Sequence, residues 1–295
     1  MAPWTSADLP DLHGRTVLIT GANSGLGLQT SRALASRGAR VLMACRDPQR
    51  GATALGQVGA GAELVALDLA SLASVRAAAA EVSARTGHLD VLVNNAGVMA
   101  IPHRTATEDG FETQLGVNHL GHVALTALLL PLLLSAPAPR VVVVASEAAR
   151  TGRIRFDDLQ SVRRYRRWGA YSQSKLANLL FLRELARRAG ASLTVTGAHP
   201  GYAATNLQSA PGVTGAVMAI GNRLLAQSDE AGAWPQEYAA TMPDVSTGDY
   251  FGPRNLGGLR GSPKRVHPFA GARDDAVAAR LWDVSNDLVG ASFNF

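Results

Sequence analysis

Six short runs of apolar, largely β-branched residues, separated by longer Ala- and Leu-rich stretches, constrain this chain more than any other feature. The runs cover residues 16–20, 40–44, 63–67, 91–94, 140–145 and 192–198, and the longer stretches include 26–37, 72–86 and 170–189. Within the runs, apolar residues hardly alternate with polar ones, which is the pattern of strands covered on both faces. Strand–helix–strand repetition with right-handed crossovers builds a parallel sheet. The pattern predicts an α/β fold, a doubly wound parallel sheet with helices on both faces. Beyond residue 206 it weakens. Residues 207–238 have room for one or two helices between Pro211, Gly212, Gly215, Gly221 and Pro235. Residues 249–252 read as one more strand, 252–268 as a long loop and 274–289 as a closing helix. No linker, repeat or low-complexity tract divides residues 1–295, which are read as a single domain.

A composition of 47% hydrophobic and 17% charged residues supplies a large core and excludes intrinsic disorder. The single cysteine, Cys45, has no partner for a disulfide or a thiolate metal site and reads as a small buried residue. The formal net charge of +5 is concentrated in one dense patch, Arg163, Arg164, Arg166 and Arg167. Only Tyr165 and Trp168 interleave with it, so a solvated loop or attraction of an anionic ligand fits better than a nucleic-acid face. The first fifteen residues carry Asp8, Asp11 and prolines where a secretory leader needs an apolar stretch. The longest apolar run, 123–134, is too short to span a bilayer and contains Pro131, which favours a buried or subunit-facing helix. A soluble, cytoplasmic protein with no membrane span is the expectation.

The segment from Val17 to Gly27 runs from the first strand into the first helix. Its glycines, Gly21, Gly25 and Gly27, let the backbone turn sharply and leave room for a pyrophosphate. With Asn23, Ser24 and Leu26 between them, the loop presents free N–H groups and the positive end of the helix dipole to the anion. Its place in the first strand–helix unit makes the glycine triplet a dinucleotide signature. The sheet is therefore read as Rossmann-type, with 15–206 as the cofactor and catalytic core and 207–295 as a substrate-covering and closing segment. The second strand ends Ala44-Cys45-Arg46-Asp47. An acidic residue there accepts hydrogen bonds from the ribose 2′-OH of NAD, whereas an arginine holds the 2′-phosphate of NADP. Arg46 favours NADP. Asp47 would favour NAD if the register moved by one residue, or it caps the next helix at Pro48. NADP is the expected cofactor, ahead of NAD. Asp68 and Leu69 close the third strand at the adenine edge of such a fold, while Asp68 or Ser71 also reads as a cap for the next helix; the two readings are compatible.

Tyr171 and Lys175 are four apart in a helical pattern and share one face. A neighbouring ammonium favours phenolate and would bring a phenol from about 10 towards the range useful for proton transfer. Ser146 follows the fifth strand, Asn94 to Gly97 follow the fourth, and Tyr171 opens a helix on that side, so all three point at one crevice. These pieces, with Asn118 and Pro200-Gly201 plus Thr205, occur in the order of a known family. The chain resembles the classical short-chain dehydrogenases/reductases, and within them the retinol-dehydrogenase-like and protochlorophyllide-reductase-like members. The resemblance covers about residues 15 to 206 and rests on Thr20-Gly-Ala-Asn-Ser-Gly-Leu-Gly27, Asn94-Asn-Ala-Gly97, Asn118, Ser146, Tyr171-Ser-Gln-Ser-Lys175 and Pro200-Gly201.

The resemblance implies NADP(H)-dependent interconversion of a carbonyl and an alcohol. Tyr171 would donate the proton in reduction and accept it in oxidation. Lys175 would bond the nicotinamide ribose and lower the tyrosine pKa. Ser146 would hold the substrate oxygen, and Asn118 would anchor a water linking Lys175 to solvent. Asn95, Ala96 and Gly97 would line the adenosine side of the cleft. Pro200 and Gly201 belong to the cofactor-binding set, and Thr205 would contact the carboxamide. Two features depart from compact relatives. Ser146 and Tyr171 are 25 positions apart, with an insert at 150–169 that includes Phe156-Asp-Asp-Leu159, and Ala145 stands where many relatives carry a second serine.

His119, His122 and His199 have no Cys or acidic partner at ligand spacing and read as structural, with no metal expected. Ser146 lacks the Gly-x-Ser-x-Gly elbow of a hydrolase. The Ala, Val, Leu and Met content of 202–238 suggests an apolar substrate of retinoid, steroid or long-chain carbonyl type. The apolar breadth of the helices carrying Asn118 and Tyr171, with the family's habit of pairing them, predicts a homodimer or homotetramer. Two other readings are a non-catalytic dinucleotide-binding scaffold or sensor and a light-dependent protochlorophyllide reductase. The intact Ser146, Tyr171 and Lys175 set argues against the first, and the cofactor-side position of Cys45 against the second. The C-terminal Ser292-Phe-Asn-Phe295 is either free or docked on a neighbouring subunit.

Overall fold

A computed structural model of the protein describes residues 3–201 and 227–295. Eight strands form one sheet in the order β3-β2-β1-β4-β5-β6-β7-β8. They are β1 (Thr16–Thr20), β2 (Arg40–Cys45), β3 (Ala62–Ala66), β4 (Val91–Asn94), β5 (Arg140–Val144), β6 (Thr194–Ala198), β7 (Tyr250–Asn255) and β8 (Arg260–Arg265). Every neighbouring pair from β3 across to β7 is parallel. The chain order reverses between β1 and β4, which opens a crevice beyond the carboxyl ends of those strands. The helices are α1 (Gly25–Ala35), α2 (Pro48–Val58), α3 (Leu72–Arg85), α4 (Thr113–Leu134), α5 (Arg167–Ala189), α6 (Asp229–Thr241) and α7 (Asp275–Val289).

Alternate residues of each central strand feed two cores. Leu18, Leu42, Leu92, Val141 and Val143 pack under α3, α4, α5 and α7. Val17, Ile19, Val41, Met43, Val93 and Val142 pack under α1, α2 and α6. Both faces are dry, which is why the strand sequences show no polar alternation.

Two expectations change. Residues 252–268 are not a long loop: β7 and β8 form an antiparallel hairpin in which Pro253 lies opposite Pro263. Proline lacks an N–H but is tolerated on a sheet edge, and Leu256, Gly257 and Gly258 turn the chain with positive φ. The Gly and Pro residues that read as loop are those of a turn and an edge strand. The apolar run 123–134 is only the second half of α4. Glu112 caps that helix early, its carboxylate accepting from the N–H groups of Gln114 at 3.0 Å and Leu115 at 2.8 Å, and a π-helical turn over Gly116–Leu120 carries it into the apolar part. At 22 residues and a mean hydropathy of 1.7, α4 is long and apolar enough to cross a membrane by length and composition; 72% of that window is buried inside the fold.

The helix faces expected to meet partner subunits are packed in part within the chain. Trp282 of α7 stacks on Phe181 of α5 at 5.7 Å, and Phe293 of the C-terminal tail lies 4.5 Å from Trp282. Leu128, 43% exposed, is the large hydrophobic residue of α4 left facing outward. The tail docks on its own chain.

Glu237 of α6 is buried, and its Oε2 accepts a 2.6 Å hydrogen bond from the Ser6 hydroxyl. Burial pushes its carboxyl up to about 8, against the pull of Ser6. The folded protein therefore keeps a proton that the unfolded chain gives up near 4.3. Its contribution is fully present below that pH and is lost as pH rises towards 8. Glu237→Gln is expected to raise the melting temperature at pH 8 by roughly 2–4 °C, and much less at pH 5. Thermal denaturation at the two pH values checks it.

Candidate active site

At the end of β1 the chain turns through Gly21, φ +66°, and enters α1 at Gly25, φ +52°. A β-carbon on Gly27 would lie 2.3 Å from the carbonyl oxygen of Gly21, so the turn closes only around glycine. Ser24 precedes α1 without a side-chain capping bond. The first-turn amides consequently face the crevice, where an anion can satisfy them. A cavity of about 360 Å³ opens there, lined by Gly21 and Asn23, Ser24, Gly25, Leu26 and Gly27 together with Arg46, Asp68, Leu69, Asn95, Ala96 and Gly97. The size suits a cofactor half.

At the end of β2, Asp47 takes up the capping role and also lines the cavity. Oδ1 of Asp47 accepts from the N–H groups of Gln49 at 2.9 Å and Arg50 at 3.1 Å, capping α2 with Pro48 as its first residue. Arg46 and Arg50 are exposed on the cavity rim. Sequence reading missed Arg50; its signal was its place in the first turn of α2, four residues after Arg46. At β3 the two readings divide between residues. Ser71 caps α3, while Asp68 lines the cavity and its Oδ1 accepts from the Ala70 N–H at 2.9 Å.

Thr20 is a second residue whose role sequence reading missed. Its hydroxyl oxygen accepts from the N–H groups of Asn95 and Ala96, each at 2.9 Å. The Asn95 side-chain amide donates to the Thr20 carbonyl at 2.7 Å, and His122 Nε2 lies 2.9 Å from the same hydroxyl. Asn118, in the π-helical turn, grips the next residues. Its Oδ1 accepts from Val98 N–H at 2.7 Å, and its Nδ2 donates to Val98 O and to the Ser174 hydroxyl, both at 2.9 Å. A β-carbon on Gly97 would lie 3.2 Å from Asn118 Oδ1 and 3.4 Å from Lys175 Nζ. Absence of a side chain at 97 lets the β4 turn, Asn118 and Lys175 meet.

A second cavity of about 260 Å³ adjoins the first and shares Leu26, Asn95, Gly97 and Val98 with it. Ser146, Tyr171, Lys175, Pro200 and Gly201 line it among Met99, Val144, Trp168 and Leu259. The structure thus brings the predicted residues to one cleft, except that Asn118 is buried and lines neither cavity; Thr205, and most of the segment expected to cover the substrate, lie outside the described residues. The insert before α5 is pinned by Tyr165, whose hydroxyl donates to Ile101 O at 2.7 Å, and by Gln173 Nε2, which donates to Leu159 O at 3.0 Å.

Burial sets the electrostatics around Tyr171. Burial holds its phenol above the ordinary value, with only a hydrogen bond to Ser146 opposing. The Lys175 Nζ donates to Val144 O at 3.2 Å. Burial also brings the Lys175 ammonium down to about 8. His119 is pushed down to about 3, and His122 and His199 to about 4, in each case by burial, so all three are neutral side chains of the interior. Cys45 is buried, and burial raises its thiol to about 11, leaving it unreactive.

A family model described as short chain dehydrogenase matches residues 15–212. The chain belongs to the short-chain dehydrogenase family. Retinol dehydrogenase 14 of Mus musculus is 45% identical over 300 residues, which span 95% of this chain and 87% of that protein. Retinol dehydrogenase 13 of Homo sapiens is 43% identical, spanning 95% and 86%. The chain is thus in the retinol-dehydrogenase-like branch, and this dehydrogenase is an oxidoreductase of the carbonyl/alcohol class in a family that binds NAD(P). A crystal structure of an uncharacterized protein from Mycobacterium Paratuberculosis superposes with a TM-score of 0.85 at 45% identity, covering 100% of both chains. The Pseudomonas aeruginosa RhlG/NADP active-site complex superposes with a TM-score of 0.66 at 26% identity, covering 85% of this chain and 96% of that one.

Gly27→Ala in this dehydrogenase forces a β-carbon onto the Gly21 carbonyl. Dinucleotide binding is expected to weaken by roughly 10-fold or more, the scale of a 1–3 kcal/mol overpacking cost. Fluorescence titration reads it, and unchanged binding would show that the loop does not cradle the cofactor.

Proposed function

We propose that this dehydrogenase prefers NADP(H) and reduces an apolar aldehyde or ketone, or oxidises the matching alcohol. The observation that carries the cofactor half is the use of Asp47 as the α2 cap. One oxygen of its carboxylate, Oδ1, accepts from the Gln49 and Arg50 amides, and beside it on the cavity lining Arg46 and Arg50 offer guanidinium groups suited to a 2′-phosphate. The RhlG complex with NADP shows that a protein of this fold accepts that cofactor. The substrate half is supported by the Val98, Met99, Val144, Trp168 and Leu259 walls around Ser146 and Tyr171, and by the names of the retinol dehydrogenase relatives. A retinoid, steroid or long-chain carbonyl compound fits such walls.

When bound, the dinucleotide supplies or accepts the hydride. The chain's residues do the rest. Ser146 holds the substrate oxygen. Tyr171, kept protonated through neutral pH by burial, gives its phenolic proton to that oxygen in reduction. Lys175 holds the ribose hydroxyls and stabilises the phenolate left behind. Asn118 fixes the Val98 strand end that walls both cavities.

Titration of NADPH and NADH on wild type and Arg46→Ala tests the cofactor assignment. A preference for NADPH that shrinks in the variant is expected; equal or tighter NADH binding would overturn it. Tyr171→Phe is expected to cut reduction of retinaldehyde or decanal by about 10²–10⁴-fold with the fold intact. Turnover confined to small polar sugars would sink the apolar-substrate reading. Because Lys175 loses its charge at about 8, kcat/KM for reduction should be level below that pH and fall above it. A profile flat to pH 10 would remove Lys175 from this role.

A further inference from the structure

His199 stands between the loop that carries Ser146 and the Pro200-Gly201 turn, 1% exposed. Its two ring nitrogens face different loops. Nδ1 accepts from the Gly201 N–H at 3.3 Å. Nε2 therefore carries the proton, and it faces Oε1 of Glu147 at 3.3 Å. Burial pushes the imidazole down to about 4, against the pull of the Glu147 carboxylate, so this neutral tautomer persists at neutral pH. The other oxygen of Glu147 accepts from Nε of Arg150, whose guanidinium sits 5.5 Å from the ring centroid of Phe269.

The ring has little room to turn. Its backbone N–H donates to Phe251 O on β7 at 2.9 Å, and its centroid lies 5.3 Å from that of Tyr250. A β-carbon on Gly252 would sit 1.9 Å from Nε2, so the imidazole fits only because residue 252 is glycine. Gly201 has φ +66°, and a β-carbon there would lie 2.4 Å from Leu259 O. Glu147, Gly201 and Leu259 line the cavity of Tyr171 and Lys175, whereas His199 stands behind its wall.

We propose that His199, through Glu147, is a positioning residue for the nicotinamide half of the cofactor, tying the Pro200-Gly201 turn to the loop of Ser146. The tie keeps the hydride side and the proton side of the cleft at one separation, where a shift of about 1 Å would cost much of the rate. This rests on the reading of the cleft as a dinucleotide site, and adds to it a residue outside the cavity lining.

The test titrates NADPH, and separately adenosine 2′,5′-bisphosphate, which carries only the adenosine half. The proteins are wild type, His199→Gln, His199→Asn and Glu147→Ala. His199→Gln and Glu147→Ala are expected to weaken NADPH by about 3- to 10-fold, the scale of a lost hydrogen bond, with adenosine 2′,5′-bisphosphate unchanged. His199→Asn keeps an acceptor near Nδ1 and should recover part of the loss. Glu147 lies on a part-exposed loop, so its variant serves if the His199 variants do not fold. Unchanged NADPH binding in Glu147→Ala, or equal weakening of both probes, would overturn the proposal in favour of a merely structural histidine. Wild type binding neither probe would overturn the dinucleotide reading itself, a result distinct from failure of the tie.

Discussion

The cleft hangs on the end of β1. Thr20 is fully buried where the strand order reverses, and its hydroxyl and carbonyl hold the Asn95-Ala96 turn by three hydrogen bonds. Those bonds exist because β1 pairs with β2 on one side and β4 on the other, in register along both. The turn that they fix sets Gly97 against Asn118 and Lys175, and the same strand end launches the glycine loop into α1. Two cavities therefore share one wall. A shift of β1 against β4 would separate the pyrophosphate cradle from the residues that handle the proton.

Burial decides the charge state around this wall. The three interior histidines are neutral, Tyr171 is a phenol, and the Lys175 ammonium is brought down to about 8. Lys175 and Glu147 both line the proton-side cavity, and the amides at the start of α1 face the crevice where an anion can meet them. At the rim Arg46 and Arg50 are exposed, and Asp47 beside them caps α2 through one carboxylate oxygen. A site with a dry floor and a cationic rim suits a ligand that is apolar at one end and phosphorylated at the other.

The fold was largely legible because its determinants are local. Apolar runs without alternation mark strands dry on both faces, and glycines at 21, 25 and 27 mark a turn that no other residue can make. The hairpin at β7 and β8 was not legible. Proline and glycine have the same composition signature in an edge hairpin as in a loop, and only the pairing partner tells them apart. The length of α4 was hidden for a similar reason: polar Gln114, Asn118 and His119 break the apolar run, yet each is buried and hydrogen-bonded by a distant element.

By itself the sequence determined the sheet, the glycine cradle and the set of residues able to perform carbonyl chemistry, because backbone freedom, periodicity and functional-group type are properties of short segments. Only the tertiary structure decided how those groups are used. Whether Asp47 reads a ribose or caps a helix depends on the direction its side chain takes at the start of α2. Where the Lys175 ammonium sits depends on a carbonyl of β5, Val144 O, that accepts from it. Whether His199 is idle or ties two loops together depends on Gly252, 53 residues later in the chain, leaving space for its ring. Hydrogen-bond partners and desolvation come from residues far apart in sequence, and they exist only once the sheet has brought them together.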